Sequence, residues 1–590
     1  MNPDGIASEA AIHAYLNCYL RETGDGEVVE LDDPAIDAGI DRAIACELPE
    51  RGIELLVPLA YRSPTGRHRF ALPGYYRAGG ERFALDLGTL AALTAGSIAR
   101  SRDAEATDEL LYHVLDSRRA IERFVRARAG DDRLDATEWT FRDAEQSLVF
   151  GHLLHPTPKS REGIAPHDAQ RYAPELRGSF PLSYVRADPA LLEEGSAREE
   201  RASAWVRGAL RDDPHVPDGF CERHADDALV PLHPWQADHL RRQPRVRRLI
   251  EDDEVAFLGE VGRPFYPTSS VRTLYAPDAP FMVKGSLAVR ITNSVRTNKR
   301  LELERGVAVA ELLDAGLARE IDRRFPDFEV VRDPAYLTLG GELTEGEESG
   351  FEVVFRENPF RDEDAENVAP VVDLCQDGID GPSRLARLVE EVAAREGVST
   401  ADAAEEWFRR YLATAIRPVL WLYLAYGIGL EAHQQNAVLS VEEGYPDGFY
   451  YRDNQGYYFA ESTYPAVDDM LPGVGARADT LVSDAVADER IRYYVVLNNA
   501  FGVINALGTA GFLDERRLLS LLREELESLR EFDRPESSLL ESLLAERRLP
   551  CKANLLTRAH GMDELVGELE TQSVYTDVPN PLVTELEAHV

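Results

Sequence analysis

The segment from Lys284 to Lys299, KGSLAVRITNSVRTNK, concentrates cationic and hydroxyl side chains at a spacing that could bind a polyanion. If its first part is a β-strand, alternate side chains share one face, namely Lys284, Ser286, Ala288, Arg290 and Thr292. Arg296 and Lys299 follow on the next turn or helix start. Cations held this close repel one another unless an anion lies between them. The segment therefore predicts a site for phosphate or carboxylate groups.

Lysine is rare in this chain, since only four of its 65 basic residues are lysine: Lys159, Lys284, Lys299 and Lys552. An ammonium group is a compact charge that suits phosphate and carboxylate oxygens, and arginine cannot always replace it. Three of the four lie in the densest polar motifs, which again indicates an anion-binding site. Lys552 stands near a proline at a predicted helix boundary, and we expect it to be structural.

The segment 151–163, GHLLHPTPKSREG, places two histidines, Lys159, Ser160 and Arg161 among prolines. Prolines fix a loop, and a fixed loop can hold cations toward an anion at little cost in ordering. The alternative is an exposed basic loop without a ligand.

A shorter hydroxyl-rich segment, Thr268 to Thr273, reads TSSVRT. Hydroxyl groups and an arginine on a strand or turn can coordinate phosphate oxygens. This signal is weak alone, because serine and threonine are common on strand edges.

The segment 431–436, EAHQQN, follows an apolar helix, and Arg452 and Asp453 follow the next strand. An asparagine and an aspartate on neighbouring strands of a hairpin could hold Mg²⁺ against nucleotide phosphates. His433 alone would be a structural histidine, but Gln435, Asn436 and Asp453 beside it favour a functional role.

Three regions must position these motifs. Residues 1–150 have mostly helical periodicity, residues 151–368 are β-rich, and residues 369–590 are helix-rich with one metal-binding hairpin. The acidic stretch from Glu342 to Asn367 is expected to be a surface loop or hairpin edge. The predicted class is α+β, in three parts.

Composition limits the possible partners. The net charge is −40 with a pI near 4.7, yet 44% of the residues are hydrophobic, so a large core can form. An acidic, lysine-poor surface is typical of a high-salt cytosol, although an ordinary acidic enzyme is the alternative. Nucleic acid is not an expected partner. The apolar stretch 412–430 is expected to be a buried helix rather than a membrane span. With no signal-peptide pattern at its start, the chain is expected to be soluble and cytoplasmic.

Taken together, the motifs resemble the aerobactin-synthetase-like IucA/IucC family of siderophore synthetases, which work without a nonribosomal peptide synthetase. The matching segments are GHLLHPTPKSREG, LHPWQ, PTSSVRTL, KGSLAVRITNSVR, EAHQQN, the Arg452-Asp453 pair and PCKANLLTR. They follow the family order over residues 151–558. One departure is Leu153, where the family usually has proline.

The resemblance implies a cupped hand of thumb, fingers and palm, with antiparallel sheets in the fingers and a helix-rich palm. It also implies binding of ATP and Mg²⁺, a homodimer and small-molecule substrates, with adenylation of citrate or a citrate derivative and capture by an amine or hydroxyl. The implied phosphate-binding residues are Ser269, Ser270, Arg272, Thr273, Lys284 and Arg296. Those near the acid are His155, Lys159, Thr292, Arg296 and His433. Asn436 and Asp453 would hold the metal, with Gln435 in support, and Arg296, His433 and Lys284 would be catalytic.

Two other classes remain possible on the sequence alone. Glu431 precedes Asn436 by five residues, close to the spacing in small-molecule kinases, and Asp453 could be their second metal ligand. The segment 151–163 would have no role in a kinase. A non-catalytic carboxylate-binding or siderophore-binding protein does not explain the Asn436 and Asp453 pair. The sequence does not identify the amine, nor choose between citrate and its monoamide.

Overall fold

The computed structural model describes residues 2–31, 39–340, 343, 348–379, 381–564 and 572–587. Over residues 1–150 it shows helices on one face of an antiparallel sheet. The elements there are α1 Pro3–Thr23, β1 Gly26–Glu30, β2 Arg42–Leu48, β3 Ile53–Tyr61, β4 Arg69–Phe70, β5 Gly74–Ala78, β6 Glu81–Leu85, α2 Leu87–Ser101, α3 Thr107–Arg128 and α4 Phe141–Glu145.

The prediction of a mostly helical N-terminal part is wrong for residues 26–85. The described strands pair in the order β1-β2-β3-β5-β6, with β4 added beside β3. These strands are short, and much of their burial depends on α1 and α2, which cover one face of the sheet. The periodicity of residues within a single strand does not reveal that cover. The helical pattern around α3 is confirmed.

The middle region is built on antiparallel strands. Its elements are β7 Arg161–Glu162, α5 Ala169–Tyr172, β8 Phe180–Ala187, β9 Leu192–Ser196, α6 Ala202–Arg211, α7 Phe220–Arg223, β10 Ala228–Leu232, α8 Pro234–Arg241, α9 Pro244–Glu251, β11 Val255–Pro267, β12 Thr273–Tyr275, β13 Phe281–Gly285, β14 Leu287–Ile291, β15 Ser294–Arg296, α10 Arg300–Leu312, α11 Ala318–Arg324, β16 Phe328–Val330, β17 Ala335–Leu339, β18 Val353–Glu357 and β19 Val368–Pro370. Eight strands form one sheet in the order β10-β8-β11-β12-β13-β18-β17-β9, and a smaller sheet has the order β15-β14-β7.

Two local expectations are corrected here. The segment from Lys284 to Thr292 is not one strand, because the chain leaves the large sheet after β13 and enters the small one at β14. Ser286 marks the break, and its hydroxyl donates to Glu352 at 2.8 Å. The stretch 342–367 is not all loop or edge: β18 lies inside the large sheet between β13 and β17, while residues 342 and 344–347 lie outside the described residues.

The C-terminal region is rich in helices. Its elements are α12 Val371–Cys375, α13 Arg384–Glu396, α14 Thr400–Tyr411, α15 Arg417–Tyr426, β20 Ile428–Leu430, β21 Ala437–Glu442, β22 Tyr445–Tyr451, β23 Tyr457–Ala460, α16 Tyr464–Met470, α17 Val474–Ala478, β24 Leu481–Val482, α18 Asp484–Ile491, α19 Phe501–Thr509, α20 Glu515–Ser528, α21 Leu539–Ala545, β25 Arg548–Lys552, α22 Asn554–Ala559, β26 Tyr575–Pro579 and α23 Pro581–Glu587. The hairpin of β21 and β22 is the predicted one. Within the described ranges, no helix has both the length and the apolar character that a bilayer crossing requires.

The hydrophobic cores do not follow the predicted boundaries at 150 and 368. The largest core unites α10 and β16 with the C-terminal helices. The N-terminal core contains Leu555 and Leu556, whose backbone N–H groups donate to the Glu22 carboxylate at 3.0 and 2.8 Å. The α+β class is confirmed. Helix α22, from the C-terminal region, packs in the hydrophobic core of the N-terminal region.

Candidate active site

One cavity of about 1460 Å³ lies between the sheets of the middle region and the β21–β22 hairpin with its neighbouring helices. All thirteen residues predicted from the motifs line it: His155, Lys159, Ser269, Ser270, Arg272, Thr273, Lys284, Thr292, Arg296, His433, Gln435, Asn436 and Asp453. The four lysines of the chain all line it as well. Motifs up to about 400 residues apart therefore converge on one space, as the rarity of lysine indicated.

The hydroxyl-rich loop from Thr268 to Thr273 connects β11 to β12. Ser270 accepts the backbone N–H of Thr273 at 3.1 Å, and Gln435 Nε2 donates to Ser269 Oγ at 3.1 Å. Val271 lies in the left-handed region with φ +69°, and it is fully buried. A β-branched residue rarely adopts that conformation, and such outliers concentrate at functional sites. The loop is thus held in a shape that its sequence alone would disfavour.

A buried glutamate joins this loop to the C-terminal hairpin. The Glu145 carboxylate at the end of α4 accepts the backbone N–H of Ser269 at 2.8 Å and a guanidinium hydrogen bond from Arg452. Arg452 also donates to the Gln435 carbonyl at 2.8 and 3.1 Å. One carboxylate thereby fixes the relative positions of two predicted ATP-binding segments.

Lys284 and Asp453 form an ion pair across the cavity wall, with Nζ and Oδ1 2.5 Å apart. Burial alone would raise the pKa of Asp453, but Lys284, Arg356 and Arg272 outweigh it and hold that pKa far below its ordinary value. Burial lowers the pKa of Lys284 to about 8, with Asp453 opposing that shift. The aspartate is therefore ionised and surrounded by cations.

Two arginines, the buried Arg272 and the half-buried Arg296, complete this end of the cavity. Arg272 donates to Asn298 at 2.6 Å and to Gln455 at 3.3 Å, and Arg296 donates to the Ile291 carbonyl and the Thr292 hydroxyl at 3.1 and 3.0 Å. Within the described residues, neither guanidinium forms a salt bridge to a carboxylate. A buried or half-buried charge without a counterion is costly, so these arginines favour an anionic ligand.

His433 and Asn436 lie on the short loop between β20 and β21. Burial lowers the pKa of His433 to about 3, so its imidazole is neutral near pH 7, and Nδ1 accepts the Gln435 N–H at 3.3 Å. Asn436 Nδ2 donates to the Glu431 carbonyl at 3.2 Å, which leaves its Oδ1 available as a ligand atom. Asp453 occupies the turn after β22 with φ +89°.

The predicted acid-binding loop supplies His155 and Lys159 to the cavity. Nε2 of His155 is buried and has no hydrogen-bond partner among the described residues, which suits a ligand-facing group. Lys159, in contrast, donates to Glu175 at 2.5 Å and to the Leu148 carbonyl. Its ammonium already has a carboxylate partner, as that of Lys284 has, and its direct contact with the acid stays a prediction.

Sequence reasoning missed several cavity residues. Lys552, expected to be structural, lines the cavity, and its Nζ lies 3.0 Å from Glu564 Oε2. Its rarity as a lysine was the signal that could have found it. A π-helical stretch, Arg492–Ala500, supplies Tyr494 and Asn498 to the cavity. π-Helical stretches are frequent at functional sites, but no residue type in this segment predicts a π-helix.

An α+β fold around a cation-lined cavity, with these motifs in this order, defines the class of siderophore-synthetase-like proteins. The family model described as IucA / IucC family matches residues 140–376, and a second, described as ferric iron reductase FhuF-like transporter, matches residues 405–567.

Individual relatives agree over the full length. The "spermidine-citrate ligase" of Bacillus anthracis is 40% identical over 98% of each chain, and the rhizobactin siderophore biosynthesis protein RhbC of Rhizobium meliloti is 38% identical over 98% of this chain and 97% of the relative. The structure of ATP-bound aerobactin synthetase IucA from Klebsiella pneumoniae superposes with a TM-score of 0.87 at 28% identity, covering 97% of this chain and 99% of that one. The chain belongs to the IucA/IucC family.

Proposed function

We propose that the protein is an ATP-dependent siderophore synthetase, an acid–amine ligase. It adenylates a carboxylate of citrate or a citrate derivative and condenses the product with an amine or hydroxyl of a hydroxamate-type building block, releasing AMP and pyrophosphate. The observation that carries the proposal is the single cavity lined by all thirteen motif residues. Relatives named as citrate ligases support the acid, and an ATP-bound relative supports the nucleotide.

The nucleotide end is assigned to the cavity wall around the Lys284 and Asp453 pair. The Ser269 and Ser270 hydroxyls, with Thr273, would donate to phosphate oxygens. Arg272, Lys284 and Arg296 would bind the phosphate charge, and Gln435 would support the loop through Ser269.

A magnesium ion would suit Asn436 and Asp453. Magnesium is usually held by one or two carboxylates together with substrate phosphates and water, so a full protein cage is not needed. The described residues contain no group of three or more histidine, cysteine, aspartate or glutamate side chains arranged for a metal. One amide oxygen and one carboxylate fit this shared mode, in which the ion would neutralise phosphate charge.

The acid end is assigned to five residues that line the cavity: His155, Lys159, Thr292, His433 and Arg296. The neutral imidazoles of His155 and His433 can donate to carboxylate oxygens. Lys552 lies at the same end, because its positive charge helps to lower the pKa values of His152, His155 and His433. Arg296 would lie between the acid and the nucleotide.

The chemistry follows from these charges. A carboxylate oxygen attacks the α-phosphorus, its new P–O bond forms, and pyrophosphate leaves with the electrons of the broken P–O bond. Arg272, Lys284 and Arg296 offset the repulsion between the two anions. A neutral amine then attacks the acyl carbon, a C–N bond forms, AMP leaves and one proton is released. Exclusion of water protects the acyl adenylate in between.

Product analysis tests the proposal directly. The protein is incubated in high salt with ATP, Mg²⁺, citrate and hydroxylamine, and products are identified by mass spectrometry. Citrate-dependent AMP, pyrophosphate and citryl hydroxamate are expected. Formation of ADP would instead establish the kinase-like alternative, and turnover with only a citrate monoamide would place the enzyme at a second condensation. We also expect a homodimer, tested by sedimentation, and a cytoplasmic location, where ATP is available.

A further inference from the structure

Most carboxylates that line the cavity already have a partner. Asp453 and Glu564 are paired with lysines, and Glu193 is paired with Arg300. Glu302 and Glu352 accept backbone N–H groups, of Lys299 and of Ser349 and Gly350. Glu461 and Asp479 are exposed at the rim. The remaining carboxylate that lines the cavity, Glu431, is half-buried and differs from all of these.

Glu431 has no salt bridge within the described part of the chain. The Tyr458 hydroxyl donates to Oε1, and no described side chain donates a hydrogen bond to Oε2. Burial raises the pKa of Glu431, while Tyr458, Arg490 and Lys552 oppose the shift without cancelling it. A partly buried carboxylate without a salt bridge is costly, and that cost is recovered when a cationic ligand binds beside it.

The backbone and the carboxylate of Glu431 both contact Gly456. Its backbone N–H donates to the Gly456 carbonyl at 3.1 Å, and its carboxylate lies over the Gly456 α-carbon, where a Cβ would come within 2.6 Å of Oε2. His433, two residues further on the same loop, belongs to the proposed acid end. Glu431 therefore places a carboxylate in the same cavity as the proposed acid end.

We propose that Glu431 binds the amino group of the acyl acceptor and makes the site selective for a cationic primary amine over an alcohol. The inference rests on the proposed function and extends it to the second substrate. A charged hydrogen bond from ammonium to carboxylate orients the acceptor, and an alcohol gains little from it. The bound ammonium then releases one proton to solvent, and the neutral amine attacks the acyl carbon. The acid end, rich in cations, repels the same ammonium, so the amine has one anionic anchor.

Steady-state kinetics with two acceptors test this assignment. With citrate or its monoamide as the acid, 1,3-diaminopropane is mostly protonated near neutral pH, as alkylamines are, whereas hydroxylamine is mostly neutral. Loss of a hydrogen bond to a charged group changes binding by roughly 10- to 100-fold. In Glu431→Gln, kcat/KM for the diamine should fall by about that factor relative to kcat/KM for hydroxylamine, mainly through KM. Glu442→Gln, an exposed glutamate at the end of β21, is the matched control.

The outcomes separate the two levels of the proposal. If the wild-type protein forms no AMP with either acid, the proposed function fails. If it turns over but the diamine-to-hydroxylamine ratio is unchanged in Glu431→Gln, the assignment of Glu431 is wrong. If Glu431→Gln forms neither product or folds poorly, the Glu431→Asp variant, which keeps the charge, decides. A diamine preference near that of the wild type in Glu431→Asp supports the assignment of Glu431. A lost preference overturns it.

Discussion

Lys284 and Asp453 lie 169 residues apart in sequence, yet Nζ of one is 2.5 Å from Oδ1 of the other. The lysine belongs to the interior of the large sheet and the aspartate to the turn of the C-terminal hairpin, so the pair joins two regions. The proposed reaction requires both groups to act on the nucleotide, one on phosphate and one through Mg²⁺. Binding of the nucleotide would therefore exchange this pair for two ligand contacts.

Removing either central cation should strongly impair adenylation. Lys284→Ala and Arg296→Ala each lose a charge that offsets repulsion between the acid and the α-phosphate, and about 10²-fold or more of the rate is expected to disappear. Citrate-dependent pyrophosphate release measures this step. Arg319→Ala, an exposed position on α11, should retain the wild-type rate. Unchanged pyrophosphate release in both cavity variants would refute the assigned site.

The magnesium assignment predicts a change in metal dependence. In Asp453→Asn a carboxylate ligand is lost, so half-maximal activity should require at least about tenfold more Mg²⁺, with a lower rate at saturation. A magnesium titration of pyrophosphate release at fixed ATP gives both values. Asp447→Asn, an exposed aspartate on the same hairpin, should titrate like the wild type. An identical titration in Asp453→Asn would place the metal elsewhere.

Glu145 should affect ATP binding without touching ATP. Its carboxylate holds Arg452 and the Ser269 N–H together, and breaking a buried ion pair from one side costs about 3–5 kcal/mol. Glu145→Ala should therefore lower the melting temperature and raise KM for ATP more than KM for citrate. Glu145→Gln, which keeps the shape and an acceptor oxygen, should recover part of both. Equal changes in the two KM values would indicate general destabilisation only.

The candidate site was more predictable than the fold around it. The chemistry of a side chain follows directly from its residue type. The rare lysines and the pair of Asn436 and Asp453 therefore indicated one site. The partner of each lysine was not predictable, because Glu175 and Glu564 meet Lys159 and Lys552 only through folding. The strands between residues 26 and 85 were missed for a similar reason, since their burial depends on helices that cover them.

Acid should destabilise the folded protein through its buried histidines. Burial lowers the pKa of His155 to about 3 from 6.5, so below pH 6.5 the unfolded chain binds a proton that the folded chain does not. Stability therefore falls as pH decreases from about 6.5 toward 3. Glu175 and Glu564, whose pKa values lie near 2 because their cationic partners outweigh burial, add a further loss below about pH 4.5.

The histidine contribution can be isolated with one variant. Between pH 7 and pH 5, a histidine with these two pKa values contributes a loss of about 2 kcal/mol. In His155→Asn, whose side chain can still accept the Thr157 N–H, the free energy of unfolding should fall by about that much less over the same interval. Urea denaturation at the two pH values provides the comparison. His167→Asn, an exposed histidine, should show the full wild-type loss, and an equal loss in both variants would mean that His155 is protonated in the folded protein.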